Sequence, residues 1–385
     1  MQQLIEIARR GGLPDQKAYT ALIQRAREVL KSEDPLYRPR DERDRPGGLI
    51  RLNDRPTLIV PDLHARPWFL LHVLAHRPVL HRSEPVLDTT DNDTDGAHTD
   101  SGTEAEAQKP TEPENGGAAE RPTVGELLQR GEIQMICVGD GFHAESRAAQ
   151  RWKQAFKEFS TKFRKHTAMD EEMRESLGLM EIVMKLKIMR PDSFHFLKGN
   201  HENIMNEEGR GNHPFRKFAY EGEMVKEWVL KFYGEEFISE FAEMEHEFPL
   251  VAVDGTFMVS HAEPQRFFTH EEVIRYREHD DVVLGLNWTP NDGAEEGSVE
   301  QMISEYCSHP DAARYFGGHR PVQGSYNLRA GDKYIQLHNP GTYSFALVTP
   351  GITPDPQRDI IEIPYDEDAV LEAAETWQDI EEDYG

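Results

Sequence analysis

Seven side chains of metal-binding or acid/base type stand just beyond short apolar runs. Asp62 and His64 follow the run 57–60, Asp140 follows 133–138, Asn200 and His201 follow 194–197, His261 follows 250–260, and His319 follows 315–318. One Asp or His after a strand is an ordinary cap or turn residue. Five such ends in one chain suggest more, because open α/β sheets place ligand sites at the carboxyl ends of their strands, where these side chains could share one crevice. Mixed carboxylate, imidazole and amide donors suit zinc, manganese or iron, and two ions about 3.5–4 Å apart could share the carboxylate of Asp140. Gly139, Gly199 and Gly318 fit tight strand-to-loop turns beside such a site.

The charge balance makes cations useful there. The 385 residues carry 43 Lys plus Arg against 70 Asp plus Glu, a formal charge of -27. That field repels polyanions over a Debye length of about 10 Å, which disfavours a nucleic-acid polymer as partner. An anionic substrate would need bound cations to reverse the local potential. The two cysteines, Cys137 and Cys307, form no CxxC pair and no disulfide framework, so a reducing, cytoplasmic setting fits. Cys137 sits inside an apolar run and reads as a small core residue. The N-terminus lacks the charged and apolar regions of a signal peptide, and no 18 apolar residues run together, so no membrane span is expected.

The positioning elements follow from periodicity. Tyr19, Leu22, Ile23, Ala26, Val29 and Leu30 repeat at three and four, which predicts an N-terminal helical extension over 1–46. The runs 49–52 and 57–60, separated by Asn53, Asp54 and Arg55, read as a hairpin or paired strands. From about 88 to 120 the chain is Thr, Asp, Glu, Gly and Ala with few apolar residues, predicting a disordered acidic insertion, a solvated linker without function. The continuous apolar run 133–138 fits a buried parallel strand. Helical stretches at 147–166 and 177–189 precede the strand 194–197. Further strands are expected within 250–260 and at 315–318, 334–337 and 343–348, with helices at 223–240 and 298–308. Strands alternating with helices predict a layered α/β domain over 47–350, followed by an acidic C-terminal tail, 351–385. Trp68 to Leu74 read as a core-facing helix, and His213 as a loop residue despite its Gly-Asn-His setting.

The series Asp62-Leu63-His64, Gly139-Asp140, Gly199-Asn200-His201-Glu202, Ser260-His261-Ala262 and Gly318-His319 resembles the calcineurin-like metallophosphoesterase superfamily. Residues 177–202 and Leu286-Asn287-Trp288-Thr289-Pro290 are similar to its phosphoprotein phosphatase branch, which includes serine/threonine phosphatases and bis(nucleosyl)tetraphosphatases. The resemblance implies two facing mixed β-sheets flanked by helices. It implies one metal held by Asp62, His64 and Asp140, a second held by Asp140, Asn200, His261 and His319, and a bridging hydroxide that attacks phosphorus in line. His201 matches the residue that protonates the leaving oxygen. The expected activity is serine/threonine-phosphatase-like hydrolysis of a phosphomonoester on protein or a small molecule, with manganese, iron or zinc. The alternatives are a dinucleoside polyphosphate hydrolase or nucleotidase, and a metal-binding pseudophosphatase that recruits a partner.

Two positions depart from the pattern. Where the family has Gly-Asp-x-x-Asp-Arg, this chain has Gly139-Asp140-Gly141-Phe142-His143-Ala144, followed by Glu145. A neutral His143 could hydrogen-bond His201 but would not stabilise its imidazolium, which lowers the expected pKa of His201. Glu145 could substitute if the loop bends differently. Ala144 cannot replace a bidentate phosphate contact. Arg66 and Arg320 are the nearest candidate substrate grips, His143 is a further candidate substrate contact, and Arg216 and Lys217 lie farther off. The wider superfamily often ends its last block Gly-His-x-His; Pro321, two residues past His319, matches the phosphoprotein phosphatase branch instead and removes one ligand from the first metal.

Overall fold

The computed structural model describes residues 1–80 and 121–377. The expected insertion at 88–120 lies outside the described residues. The chain opens with α1 (Gln2–Arg9), α2 (Gln16–Lys31), β1 (Leu49–Arg51), β2 (Thr57–Val60) and α3 (Pro67–Ala75). After 120 come α4 (Val124–Arg130), β3 (Gln134–Cys137), α5 (Ala149–Ser160), α6 (Thr167–Met189) and β4 (Phe194–Phe196). The middle holds α7 (Glu221–Phe232), α8 (Gly234–Glu245), β5 (Val251–Val253), β6 (Phe257–Ser260), α9 (His270–Ile274), α10 (Asp280–Asn287) and α11 (Ser298–Tyr306). The last part supplies β7 (Arg314–Gly317), β8 (Asn327–Arg329), β9 (Tyr334–Gln336), β10 (Tyr343–Val348), α12 (Pro356–Asp359), β11 (Ile360–Ile363) and α13 (Glu367–Thr376).

Two mixed sheets result, one ordered β1-β5-β6-β7-β9-β8 and the other β11-β10-β2-β3-β4. Alternation along the strands builds the layers, since successive side chains point to opposite faces. Ile59, Ile136, Val138, Ala346 and Val348 of one sheet meet Ile50, Ala252, Val259, Phe316 and Ile335 of the other in a single buried cluster. Leu58, Val60, Met135, Cys137 and Phe345 turn outward under α2, α3, α6 and α8. Met258, Tyr315 and Tyr334 turn outward on the second sheet, under α10 and α11. The architecture is α/β, two facing mixed sheets flanked by helices. Parallel pairing of β2 with β3, β3 with β4, β6 with β7 and β7 with β9 brings their carboxyl ends to one edge of each sheet.

Local patterning misleads in four places. Runs 49–52 and 57–60 are not a hairpin: β1 pairs with β5 and β2 with β3 and β10, in different sheets. Ile50 and Ile59 enter the inter-sheet core from opposite sides, and burial on both outweighs sequence proximity. The helical span 223–240 breaks at Gly234, whose φ of 83° starts α8 on a new axis. The N-terminal helices are part of the main core. Tyr19, Ile23, Ala26 and Leu30 are buried, with α2 against α6 and α8. Finally, the stretch expected as an acidic tail forms β11, antiparallel to β10, and α13, which packs on α3 through Val370 and Ala373. Among the described residues no helix is long and apolar enough to cross a membrane.

Candidate metal centre

Six strand ends deliver polar side chains to one buried cluster. The loop after β2 carries Asp62 and His64, that after β3 Asp140, that after β4 Asn200 and His201, and those after β6, β7 and β9 carry His261, His319 and His338. The turns are tight enough to force non-glycine residues into left-handed backbone: φ is 42° at His64, 53° at Asp140, 68° at His143 and 64° at His319. Such conformations cost of order 1–3 kcal/mol each and collect at functional sites. Glu202 ties two loops together, its carboxylate accepting from the amides of Asp140 (2.9 Å), Gly141 (2.7 Å) and Gly199 (2.7 Å). Gly199 and Gly318 leave room for carboxylates: a Cβ on either would lie 2.3 Å from Oδ1 of Asp140 or Asp62 respectively.

The hydrogen bonds leave acceptors facing acceptors. His261 donates through Nδ1 to the carbonyl of Val138 (2.9 Å), so its Nε2 presents a lone pair to Asn200 Oδ1 at 2.9 Å and Asp140 Oδ2 at 3.5 Å. His64 is tied through Nδ1 to the carbonyl of His143 (3.1 Å), and its Nε2 faces Asp140 Oδ2 at 3.5 Å. His319 Nδ1 reaches Asn200 Oδ1 at 3.0 Å, while its Nε2 has no partner; neither does Asp62 Oδ1. Burial pushes the imidazoles of His64, His261 and His319 below their ordinary pKa, His261 to about 4, so they are neutral bases. Burial likewise raises the carboxyls of Asp62 and Asp140, with each neighbouring acid adding to the effect. Anchoring one imidazole nitrogen on a carbonyl while the other aims at carboxylates is how proteins orient histidine ligands for divalent ions. Three donor sets, Asp62/Asp140/His261, Asp62/His64/His338 and His64/Asp140/His201, each bring their atoms within 4.8 Å of one another. The residues present fit a cation centre.

Around the centre, His201 lies with its amide on Asp140 Oδ1 (2.9 Å) and its Nε2 3.7 Å from Asp140 Oδ2. Its Nδ1 is 2.6 Å from Nδ1 of His143, and Phe215 covers both rings, 3.8 Å from the His201 centroid. Burial, then the neighbouring imidazoles beginning with His143, hold His201 well below the usual histidine range. Glu145 does not reach His201. It accepts from Lys217 Nζ (2.6 Å) and meets His338 Nε2 at 2.9 Å.

The candidate substrate grips separate. Arg66 is buried and its guanidinium is spent on the backbone carbonyls of Leu63 (3.1 Å), Asp62 (2.6 Å) and Pro340 (3.4 Å), so it braces the loop after β2. Arg320 is exposed beside His319. Arg216 stacks over Tyr220 and Lys217 is engaged by Glu145. A cavity of about 370 Å³ opens next to His64, lined by Arg66, Glu145, Ser146, Arg147 and Pro340. Arg147 was not singled out from sequence; its guanidinium holds the carbonyl of Ala65 (2.6 Å) and pairs with Glu175 (2.8 Å). His338 was also missed, although it follows an apolar run at 334–337, the same signal that singled out the others. His213 is a loop residue paired with Glu208, away from this cluster.

Neither a protein-family model nor a curated protein matches the chain. Among solved structures it is similar to a protein serine/threonine phosphatase from Saccharomyces cerevisiae, at 13% identity and a TM-score of 0.49, over 94% of this chain and 95% of that one. It is also similar to a cold-active protein tyrosine phosphatase of a psychrophilic Shewanella species, at 11% identity and a TM-score of 0.34, over 80% of this chain and 74% of that one. Likenesses this distant say nothing about chemistry, which is carried by the side chains.

Proposed function

We propose that the protein is a phosphoester hydrolase that works with two divalent cations, manganese, iron or zinc, on a phosphomonoester of a protein or small molecule. The observation that supports this reading is the convergence of imidazole, carboxyl and amide groups from six strand ends on one buried cluster, in which Asp62 Oδ1 and His319 Nε2 have no hydrogen-bond partner. Asp62, His64 and Asp140 would hold one cation, and Asp140, Asn200, His261 and His319 the other, with Asp140 common to both. When bound, divalent cations polarise phosphoryl oxygens and lower the pKa of water by several units. They also give a chain of formal charge -27 a local attraction for phosphate.

This chain's own residues do the rest. The cavity beside His64 would receive the phosphoryl group, with Arg147 at its wall. His201 would protonate the leaving oxygen: its buried ring is neutral at rest, so it must first take up a proton from solvent; it then donates Nδ1–H to His143 Nδ1 and passes Nε2–H to the leaving oxygen, which returns the neutral pair. His143 orients this acid without the charge a carboxylate would add. Phe215 covers this pair, stacked on His143 and tilted against His201.

Chelator-treated protein reloaded with each of the three metals should hydrolyse an aryl phosphate, and His201→Asn should slow turnover about 10²–10⁴-fold while keeping the metal. Metal uptake without turnover overturns the enzyme reading and leaves a metal-binding module that recruits a partner, a reading favoured by Ala144 where the related pattern has Arg. Turnover of a dinucleoside tetraphosphate in preference to a phosphopeptide would move the substrate to the nucleotide class.

A further inference from the structure

His338 has a setting that the proposed ligand set does not use. It follows β9, its ring is fully buried, and its two nitrogens face different carboxylates. Nε2 is hydrogen-bonded to Glu145 Oε2 at 2.9 Å, whereas Nδ1 makes no hydrogen bond yet lies 3.1 Å from Asp62 Oδ2. Glu145 also binds Lys217 Nζ at 2.6 Å, and an ionised carboxylate can only accept. The proton of a neutral His338 therefore sits on Nε2, leaving a lone pair on Nδ1 beside Asp62. A histidine merely satisfied by two acids would donate to both, and the contact with Asp62 is not a hydrogen bond.

We infer that His338 Nδ1 is a further ligand of the first cation, with Asp62, His64 and Asp140, and that Glu145 is the positioning carboxylate that fixes its tautomer. The imidazole lost at Pro321 is thus resupplied from the next strand of the same sheet, β9, which pairs in parallel with β7. The His64 and His338 rings, 5.1 Å apart between centroids, stand close enough to serve one ion. This inference rests on the metal-centre reading proposed above.

The test is titration of chelator-treated protein with Mn²⁺ by calorimetry, with elemental analysis and an unfolding midpoint for each variant. Gln at 338 can still donate to Glu145 but has no atom at the Nδ1 position; Asn puts an amide oxygen near Nδ1 but cannot reach Glu145. His338→Gln should weaken one of two Mn²⁺ sites by 10-fold or more and leave the other unchanged, and His338→Asn should recover part of that loss. Glu145→Gln should weaken the same site by about 10–100-fold, the usual cost of a lost outer carboxylate. Two wild-type affinities in His338→Gln overturn the inference while leaving the metal centre intact; if neither His338 variant folds, two wild-type affinities in Glu145→Gln overturn it instead. A wild-type protein that takes up no Mn²⁺, zinc or iron overturns the metal-centre reading itself.

Discussion

Replacing Gly318 by Ala isolates the centre from the rest of the fold. The added Cβ would lie 2.3 Å from Asp62 Oδ1, 2.8 Å from Cγ and 2.9 Å from Oδ2. A comfortable carbon–oxygen contact is about 3.3 Å, so the carboxylate or the loop must move by about 1 Å. Metal ligands tolerate only about 0.2 Å. Gly318 lies outside the left-handed region, so Ala brings no backbone strain, and the whole effect falls on Asp62. Asp62 cannot yield freely, because Oδ2 accepts from the amide of His319 at 2.9 Å and any shift disturbs His319 too. Mn²⁺ affinity should therefore fall at least 10–100-fold, which is about 1.4–2.8 kcal/mol, with an overpacking cost to stability of about 1–3 kcal/mol. Gly12→Ala, which meets nothing within 4 Å, is the control and should change stability by no more than about 0.5 kcal/mol. Calorimetric titration and urea unfolding in chelator measure the two effects. Wild-type Mn²⁺ binding by Gly318→Ala would refute the placement of Asp62 in the centre.

Away from the centre, Glu33 is buried between Arg38 and Lys187; burial pushes its carboxyl up, but the two cations outweigh that and hold it at about 2. Glu33→Gln leaves two buried cations underpaired and should cost about 3–5 kcal/mol in urea unfolding, whereas a loss under 1 kcal/mol would show the cluster to be incidental. His195, on β4 in the same cluster, is pushed to about 3 by burial, with Lys187 adding to it. Its folded pKa lies below its unfolded value, so its contribution is complete above about pH 6.5 and is lost as pH falls towards 3. At pH 5 the loss is of order 2 kcal/mol, and His195→Leu should shrink the pH 7 to pH 5 difference in unfolding free energy by that amount. An unchanged difference would contradict a buried neutral His195.

What the sequence makes legible is local. Apolar runs ending in Asp62, Asp140, Asn200, His261 and His319 mark strand ends because alternation and burial are written residue by residue. Sheet membership is not local: β1 and β2 stand six residues apart, yet each follows its own hydrophobic face into a different sheet. The spacing of Tyr19, Ile23, Ala26 and Leu30 announces a helix but not its partners, α6 and α8, which come more than 130 residues later. Acidic neighbours hide Ile361 and Ile363, which pack against the main core. His338 escapes because attention falls on Pro321, two residues past His319, while His338 follows another strand, β9. The left-handed backbone at His64, Asp140 and His319 has no sequence signature, since only the packed loops impose it.

The most direct test of the account is the metal content of wild-type protein and Asp140→Asn, located by anomalous scattering from crystals grown with Mn²⁺. Two ions should appear in the wild type among Asp62, His64, Asp140, Asn200, His261 and His319, and both should be lost or displaced in Asp140→Asn, because one carboxylate serves them both. Ions found elsewhere, or a pair that survives in Asp140→Asn, would contradict it.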